Sequence, residues 1–151
     1  GTGWNVGIQD PRAASIAGVV TNSNIAIIPD QKDVAVVTSG DYQNYYIAEG
    51  DLVYSHIIDP HTLFPADKYN SVTIVCKDSG LADCLSTSLF VMDYEEGLEF
   101  IDKINEAYDD DIVVIWVSDE ILDDSSIKSI SEETQYITVT DNFKDKLITS
   151  E

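Results

Sequence analysis

Two residues in the segment DSGLADCLSTSLF have types and spacing that suit phosphate chemistry. Asp83 and Thr87 are four residues apart, which on a helix places a carboxylate and a hydroxyl on one face, about one turn apart. Both are hard oxygen ligands that suit Mg²⁺, and a helix N-terminus adds backbone donors for phosphate oxygens. The spacing predicts a metal and phosphate site. The alternative is structural, because the helix dipole favours an early Asp and a Thr in a helix bonds its own backbone.

The only two histidines of the chain fall in one proline-bounded segment, SHIIDPHTLFP (55–65), here called the histidine loop. His56 follows a predicted strand, so its imidazole can be held in place and can act as a general base near neutral pH. The alternative is a partly exposed turn histidine. His61, in the middle of the loop, is expected at the surface. The prolines fix their own φ and restrict the preceding residues, which favours a loop of defined shape.

Composition excludes several function classes. The chain has 151 residues with eight basic and 28 acidic side chains, a formal net charge of −20. Such a surface repels nucleic-acid phosphates, so no nucleic-acid partner is expected. The sequence contains no glycine pattern for dinucleotides or phosphate loops and no Ser-His-Asp order. No apolar run is long enough to predict a membrane span.

The remaining reactive and charged side chains predict little chemistry. Cys76 and Cys84 lack the spacing of a metal site and are expected to be free, buried thiols, with Cys76 on a strand and Cys84 on the next helix. The acidic runs 109–111 and 119–124 lack the pattern of a calcium loop and are expected mainly to be solvated edges. A cation-binding acidic protein remains a minor alternative.

The elements that must position the site residues follow from hydrophobic periodicity. Short strands are predicted at 4–8, 15–20, 24–28, 33–40 and, as a hairpin turning at 49–51, within 45–58. The first of these strands should end at Asp10-Pro11, and a turn at 21–23 should join the second to the third. Residues 71–77 predict a strand buried on both faces. A helix should follow, with Asp78 or Ser79 as N-cap. Its apolar stripe is Leu81, Leu85, Leu89 and Met92.

A second helix at about Tyr94–Ala107 should bury Leu98, Ile101 and Ile104, and a central strand is expected at 112–118. The segments SIKSI, YITVT and NFKDKLI give weaker signals. Strands, then two helices, then strands predict one α+β domain over 1–151, an antiparallel sheet with helices packed on one face.

Six ordered blocks resemble the C-terminal half of the FAD:protein FMN transferases, the ApbE family, from about Trp4 to Val117. They are W-NVGI-QDP, VVTSGDYQNYY, YSHIIDPHT, SVTIV, LADCLSTSLFVM and EEGLEF. The resemblance implies an ApbE-like, T-fold-related architecture. It also implies that 1–151 is the C-terminal portion of a longer flavin transferase, whose upstream half contributes much of the FAD pocket.

The activity implied by the resemblance is Mg²⁺-dependent transfer of FMN from FAD to a Thr or Ser hydroxyl of an acceptor flavoprotein subunit, with release of AMP. Some members instead act as FAD pyrophosphatases, and a non-catalytic flavin- or cation-binding module is a further alternative. The family usually works on the extracytoplasmic face of the cell membrane, often as a lipoprotein held by an N-terminal anchor that is absent from this sequence.

Residue roles are implied position by position. Asp83 and Thr87 match the side-chain metal ligands, His56 matches the base, and His56 and Ile57 lie against the flavin nucleotide. The Ser-Gly-x-Tyr block, Ser39, Gly40 and Tyr42, is expected near the site. Where the family commonly has glycine after His-x-x-Asp-Pro-x-Thr, this chain has Leu63, for which a positive φ is less accessible.

Overall fold

A five-stranded antiparallel sheet lies between two helices on one face and a three-stranded sheet on the other. The computed structural model describes residues 2–15, 23–42, 44–47, 49, 53–129 and 134–149. The strands are β1 (Trp4–Gln9), β2 (Asn24–Gln31), β3 (Ala35–Gly40), β4 (Tyr45–Ile47), β5 (Val53–Ser55), β6 (Ser71–Cys76), β7 (Val113–Ser118), β8 (Ile127–Lys128), β9 (Tyr136–Val139) and β10 (Ile148–Thr149). The helices are α1 (Pro11–Ser15), α2 (Ser79–Val91) and α3 (Tyr94–Tyr108), with a 3₁₀ turn at Asp141–Phe143.

The larger sheet has the order β3-β6-β7-β9-β8, the smaller one β1-β2-β10, and β4 pairs with β5 as a separate ribbon. Neighbouring strands in all three are antiparallel. Every residue of β6 and β7 is buried, which confirms the prediction of strands covered on both faces. The α+β class with helices on one face is also confirmed. The second sheet on the opposite face was not predicted.

Alternate side chains of the central strands enter two separate cores. Val72, Ile74 and Trp116 pack against α2 and α3. Val75 and Ile115 pack against the smaller sheet on the other side. This alternation follows from the pleat of a strand, which directs successive side chains to opposite faces. The sheet therefore gives α2 a fixed apolar base.

Helix α2 begins where the sequence predicts, because Asp78 caps it by accepting a hydrogen bond from the Leu81 N–H at 2.8 Å. Its fully buried residues are Leu85 and Leu89 of the predicted stripe together with Ala82, Ser86 and Phe90. Of the predicted members, Leu81 is half-buried and Met92 is the C-cap, beyond the last helical turn. Leu81 and Met92 still pack against the same core as Leu85 and Leu89, so the predicted stripe is confirmed, whereas the burial of Ser86 could not be predicted from its polarity.

Helix α3 and the later elements match the predictions more closely. Leu98, Ile101 and Ile104 of α3 all contact the core shared with α2. SIKSI contains β8 and YITVT contains β9, whereas NFKDKLI divides between the 3₁₀ turn and the start of β10. The acidic runs are not only solvated edges, since Asp110 accepts the Lys77 N–H at 3.1 Å.

The N-terminal third differs most from the prediction. β1 ends one residue before Asp10, as expected, but Pro11–Ser15 forms α1, whose first N–H groups, from Arg12 and Ala13, donate to the Asp10 carboxylate at 3.0 and 3.2 Å. The predicted strand 15–20 and turn 21–23 lie mostly outside the described residues, as does the hairpin turn at 50–51.

Both cysteines are free, with Cys76 buried on β6 and Cys84 exposed on α2, so the prediction of two buried thiols was wrong for Cys84. Cys84 is exposed because it lies on the side of α2 away from the sheet. In the part of the chain that the structure describes, no helix is long and apolar enough to cross a membrane.

Candidate active site

Asp83 and Thr87 lie on the outer face of α2, where both are exposed. They occupy this face because Ala82, Leu85 and Ser86 turn the other side of the same helical turns into the core. The predicted one-turn spacing is therefore realised on a helix that cannot rotate without exposing its apolar side. The Asp83 carboxylate has no hydrogen-bond or ion-pair partner among the described residues.

A pocket of about 430 Å³ opens between α2, β3 and the histidine loop. The described residues that line it are Thr38, Ser39, Gly40, Asn44, His56, Ile57, Ile58, Asp83 and Thr87. The structure thus brings together the predicted base, the predicted nucleotide contact and both predicted metal ligands. His61 is not among these lining residues and is exposed at the loop surface.

His56 follows β5 directly and is held by the backbone carbonyl of Asn44. That oxygen accepts from the His56 N–H at 3.2 Å and lies 2.8 Å from the ring Nδ1. Because a carbonyl only accepts, the neutral ring must carry its proton on Nδ1. The Nε2 atom then keeps its lone pair, which is the protonation state that a general base requires.

Backbone hydrogen bonds close the rest of the histidine loop. Ala66 N–H donates to the Ile57 carbonyl at 2.8 Å, and Asp59 N–H donates to the Phe64 carbonyl at 2.9 Å. The Asp59 carboxylate accepts the His61 N–H at 2.8 Å, and this backbone N–H lowers the pKa of Asp59. Polar contacts therefore close the tip of the loop, whereas Ile57 at its start is buried in the core.

Leu63 has φ +61° and is 76% exposed. This is the position at which the family resemblance predicts glycine. Leu63 therefore adopts the left-handed backbone conformation although it carries a Cβ. A leucine makes this conformation less favourable but does not exclude it. A non-glycine residue there is strained by roughly 1–2 kcal/mol.

The Ser-Gly-x-Tyr block forms the end of β3 and the turn after it. Ser39 and Gly40 line the pocket, whereas Tyr42 is buried beside it. A Cβ on Gly40 would lie 2.6 Å from the Tyr42 ring, so only glycine lets that ring cover the strand end. Burial raises the pKa of the Tyr42 hydroxyl, and this tyrosine supports the wall of the pocket.

The backbone N–H and carbonyl of Ile57, the groups expected to contact the nucleotide, already make hydrogen bonds within the protein. Its N–H donates to the Ser55 hydroxyl at 3.1 Å, and its carbonyl already accepts the Ala66 N–H. The second lone pair of that carbonyl is the backbone group left for a nucleotide. The contact predicted for Ile57 stays a prediction.

The donor set of the pocket is incomplete for Mg²⁺ and would be completed by water or by a phosphate ligand. Among the described residues, no group of three or more His, Cys, Asp or Glu side chains is placed to hold a metal ion. Asp83 and Thr87 offer a carboxylate and a hydroxyl to the same space. Magnesium is commonly held by one or two carboxylates plus substrate phosphates and water, so these residues fit such a shared site.

The residues that sequence reasoning missed are Thr38, Asn44 and Ile58. The sequence could have indicated Thr38, because it is next to Ser39 on the strand that ends at the pocket. Asn44 contributes its backbone carbonyl to His56, and no side-chain pattern indicates such a role.

Comparisons with known proteins identify the family. The model of the ApbE family matches residues 1–109. The chain belongs to the ApbE family. The predicted family is thus confirmed over most of the segment from which it was inferred.

Relatives and solved structures support the ApbE assignment. An FAD:protein FMN transferase of Treponema pallidum (strain Nichols) is 42% identical over 94 residues, which cover 62% of this chain and 24% of that protein. The ApbE protein of Thermotoga maritima aligns with a TM-score of 0.60 and 32% identity, over 77% of this chain and 34% of that one. The flavinyl transferase ApbE of Pseudomonas stutzeri aligns with a TM-score of 0.59 and 26% identity, over 95% and 36% respectively. The chain therefore spans only a part of the length of these ApbE proteins.

Proposed function

We propose that the protein is part of an FAD:protein FMN transferase that moves FMN from FAD to a Thr or Ser hydroxyl of an acceptor protein and releases AMP. The observation that supports this most is the pocket in which His56, Asp83 and Thr87 meet from separate segments of the chain. Relatives that are named for this activity match 62% and 65% of this chain.

The reaction needs a base beside the attacking oxygen and charge stabilisation at the FAD pyrophosphate. The acceptor hydroxyl oxygen attacks the phosphorus of the FMN half, and the bond from that phosphorus to the bridging oxygen breaks. AMP leaves with the bridging oxygen. His56 takes the hydroxyl proton on Nε2, the nitrogen that the Asn44 carbonyl leaves unprotonated.

Charge in the pocket explains why a cation is part of the proposal. Its described lining residues include a carboxylate, Asp83, but neither Lys nor Arg. A pyrophosphate entering this pocket would be repelled unless a positive ion accompanied it. A bound Mg²⁺ supplies that positive charge, and Asp83 and Thr87 would hold it.

The remaining parts of the proposal concern partners and location. Ile57 lies in the pocket wall next to His56, and we propose that it contacts the flavin nucleotide. The acceptor is a flavoprotein subunit. The longer enzyme is placed on the extracytoplasmic face of the membrane, through an N-terminal segment outside this sequence.

The test is AMP release from FAD by the purified chain with MgCl₂, with and without a flavin-free protein extract as acceptor. AMP is quantified by chromatography, and covalent flavin by fluorescence after denaturing electrophoresis. We expect His56→Asn and Asp83→Asn to abolish AMP release. The matched controls are His61→Asn, in the same loop but outside the pocket, and Asp102→Asn on α3, and both should retain activity.

The products separate the competing functions. AMP with a fluorescent protein band supports the transferase, whereas AMP with free FMN and no band indicates an FAD pyrophosphatase. Binding of FAD or Mg²⁺ without any AMP release, in a chain whose circular dichroism shows an intact fold, would contradict catalysis by this chain and support a non-catalytic module.

A further inference from the structure

Three hydroxyl groups form a connected cluster behind the candidate cation ligands. The Ser39 Oγ lies 2.8 Å from the Ser86 Oγ and 3.2 Å from the Thr87 Oγ1. The Ser86 hydroxyl also donates to the backbone carbonyl of Asp83 at 3.0 Å. Ser39 is on β3, whereas the other residues are on α2, so the cluster joins the sheet to the helix at the pocket.

Each hydroxyl has a single proton to donate, and we assign the proton of Ser86 to the Asp83 carbonyl because that contact is the shorter of the two that reach this oxygen. The Asp83 carbonyl can only accept, so Ser86 uses its proton there. Ser39 must then donate to Ser86, and Thr87 must donate to Ser39. The chain of donors is therefore Thr87 to Ser39 to Ser86 to the Asp83 carbonyl, which satisfies the three shortest of the four contacts, whereas the reverse chain would end on the longer contact from Thr87 to the same carbonyl.

This direction determines what Thr87 presents to the pocket. Its proton is directed to Ser39, at 3.2 Å, with the Asp83 carbonyl as a second, longer acceptor at 3.3 Å. Both oxygen lone pairs of Thr87 are then left for a ligand in the pocket that this residue lines. A hydroxyl that coordinates a cation needs that orientation, with its proton turned away from the positive charge.

We propose that Ser39 is a positioning residue that orients the Thr87 hydroxyl for a divalent cation, an inference that rests on the function proposed for this pocket. Ser39 suits this role because its backbone is fixed in the sheet, opposite Val72 of the fully buried β6. Ser86, 0% exposed, anchors the other end of the donor chain. Partners of this kind, one bond removed from a metal, commonly tune the affinity of the site.

Ser88 provides a matched comparison on the same helix. Its hydroxyl donates to the Cys84 carbonyl at 2.8 Å, as a serine in a helix ordinarily does. Its hydroxyl makes no hydrogen bond to Ser39 or to the other described residues that line the pocket. Removing the Ser88 hydroxyl therefore removes one hydrogen bond on the same helix without changing the orientation of the Thr87 hydroxyl.

The test is Mn²⁺ binding to the purified chain, measured by electron paramagnetic resonance with the metal alone. We expect Ser39→Ala to weaken Mn²⁺ binding by about tenfold, whereas Ser39→Thr, which restores a hydroxyl, and Ser88→Ala keep the wild-type affinity. In a Thr87→Val chain, Ser39→Ala should cause no further loss, because the hydroxyl that it orients is already gone. A purely structural role would give the same loss in both backgrounds.

Wild-type affinity in Ser39→Ala, or an equal loss in the Thr87→Val background, would overturn the role of Ser39. Loss of Mn²⁺ in Asp83→Ala with no loss in Ser39→Ala would leave the cation site standing and reject this inference alone. Equal Mn²⁺ binding by wild type and Asp83→Ala would reject the cation site together with this inference. Failure of AMP release with the expected Mn²⁺ pattern would reject catalysis by this chain and leave the role of Ser39 supported.

Discussion

Helix α2 brings Asp83 and Thr87 to the pocket by apolar packing, whereas the histidine loop brings His56 there by backbone hydrogen bonds. The helix buries five residues against the sheet. The loop buries Ile57 in the same core, but the rest of its apolar side chains lie near the surface, and its tip leaves Ile58 51%, Leu63 76% and Phe64 70% exposed. The two sides of one candidate site therefore depend on different forces.

This difference has consequences for stability. The core that holds α2 also supports the central strands. Asp83 and Thr87 should therefore lose their positions only when the whole domain unfolds. Segments held by exposed backbone bonds tend to open locally, at a lower free energy than global unfolding. We therefore expect substitutions in the core to affect both sides of the pocket and substitutions in the loop to affect the base alone.

The largest expected effect on stability comes from the core on which α2 packs. Trp116→Ala removes a side chain that is 0% exposed and packs edge-on against Tyr94, with ring centroids 5.1 Å apart. We expect it to lower the free energy of unfolding by about 3–5 kcal/mol, as measured by urea denaturation. Trp4→Ala is the matched control, because Trp4 is 79% exposed. Similar losses for the two variants would contradict the packing account.

A smaller effect, of opposite sign, is expected in the loop. Leu63→Gly relieves the strain of φ +61°, while the added freedom of glycine in the unfolded chain opposes part of that gain. We expect a net gain of up to about 1 kcal/mol in the free energy of unfolding. Phe64→Gly, at the next exposed position, has no positive φ to relieve and should lose stability. Equal losses in both variants would disprove strain at Leu63.

The smallest expected effect depends on pH and concerns Asp59. The His61 N–H holds the pKa of this carboxylate below its ordinary value. The carboxylate therefore stabilises the folded state above the unfolded pKa of about 4, and this contribution is lost as pH falls through the lower folded pKa. Asp59→Asn should be less stable than wild type at neutral pH, with a gap that narrows in acid.

The pH effect is measured by urea denaturation across that range. Asp67→Asn, the same change at an exposed position nearby, serves as the control. A gap between wild type and Asp59→Asn that stays constant from neutral to acidic pH would show that the hydrogen bond from His61 does not depend on the charge of Asp59.

The same difference explains what the sequence could predict. Packed elements leave periodic patterns, so α3, β6, β7 and the start of α2 at Asp78 were predicted closely. Residues 1–15 were harder, because the short helix α1 depends on Asp10 accepting two backbone N–H groups, a local contact with no periodicity. The smaller sheet joins β1 and β2 to β10 from the far end of the chain, a long-range pairing that local patterns do not indicate.

The candidate site shows a similar division. Asp83 and Thr87 were predicted from helical spacing, and His56 from its place between a strand and a proline loop. The contributions of Asn44 and Ser39 could not be inferred in the same way. One acts through a backbone carbonyl and the other through the direction of a hydrogen-bond chain. Both depend on three-dimensional contacts between segments that are distant in sequence.

The most direct test of the central claim, that the cation ligands and the base share one pocket, is paramagnetic broadening of the histidine ring signals by Mn²⁺. The chain has only two histidines, so their ring resonances can be assigned with His61→Asn. We predict that Mn²⁺ broadens the signals of His56 at lower concentrations than those of His61, and that Asp83→Ala abolishes the difference. Equal broadening of both rings, or preferential broadening of His56 that persists in Asp83→Ala, would contradict the account.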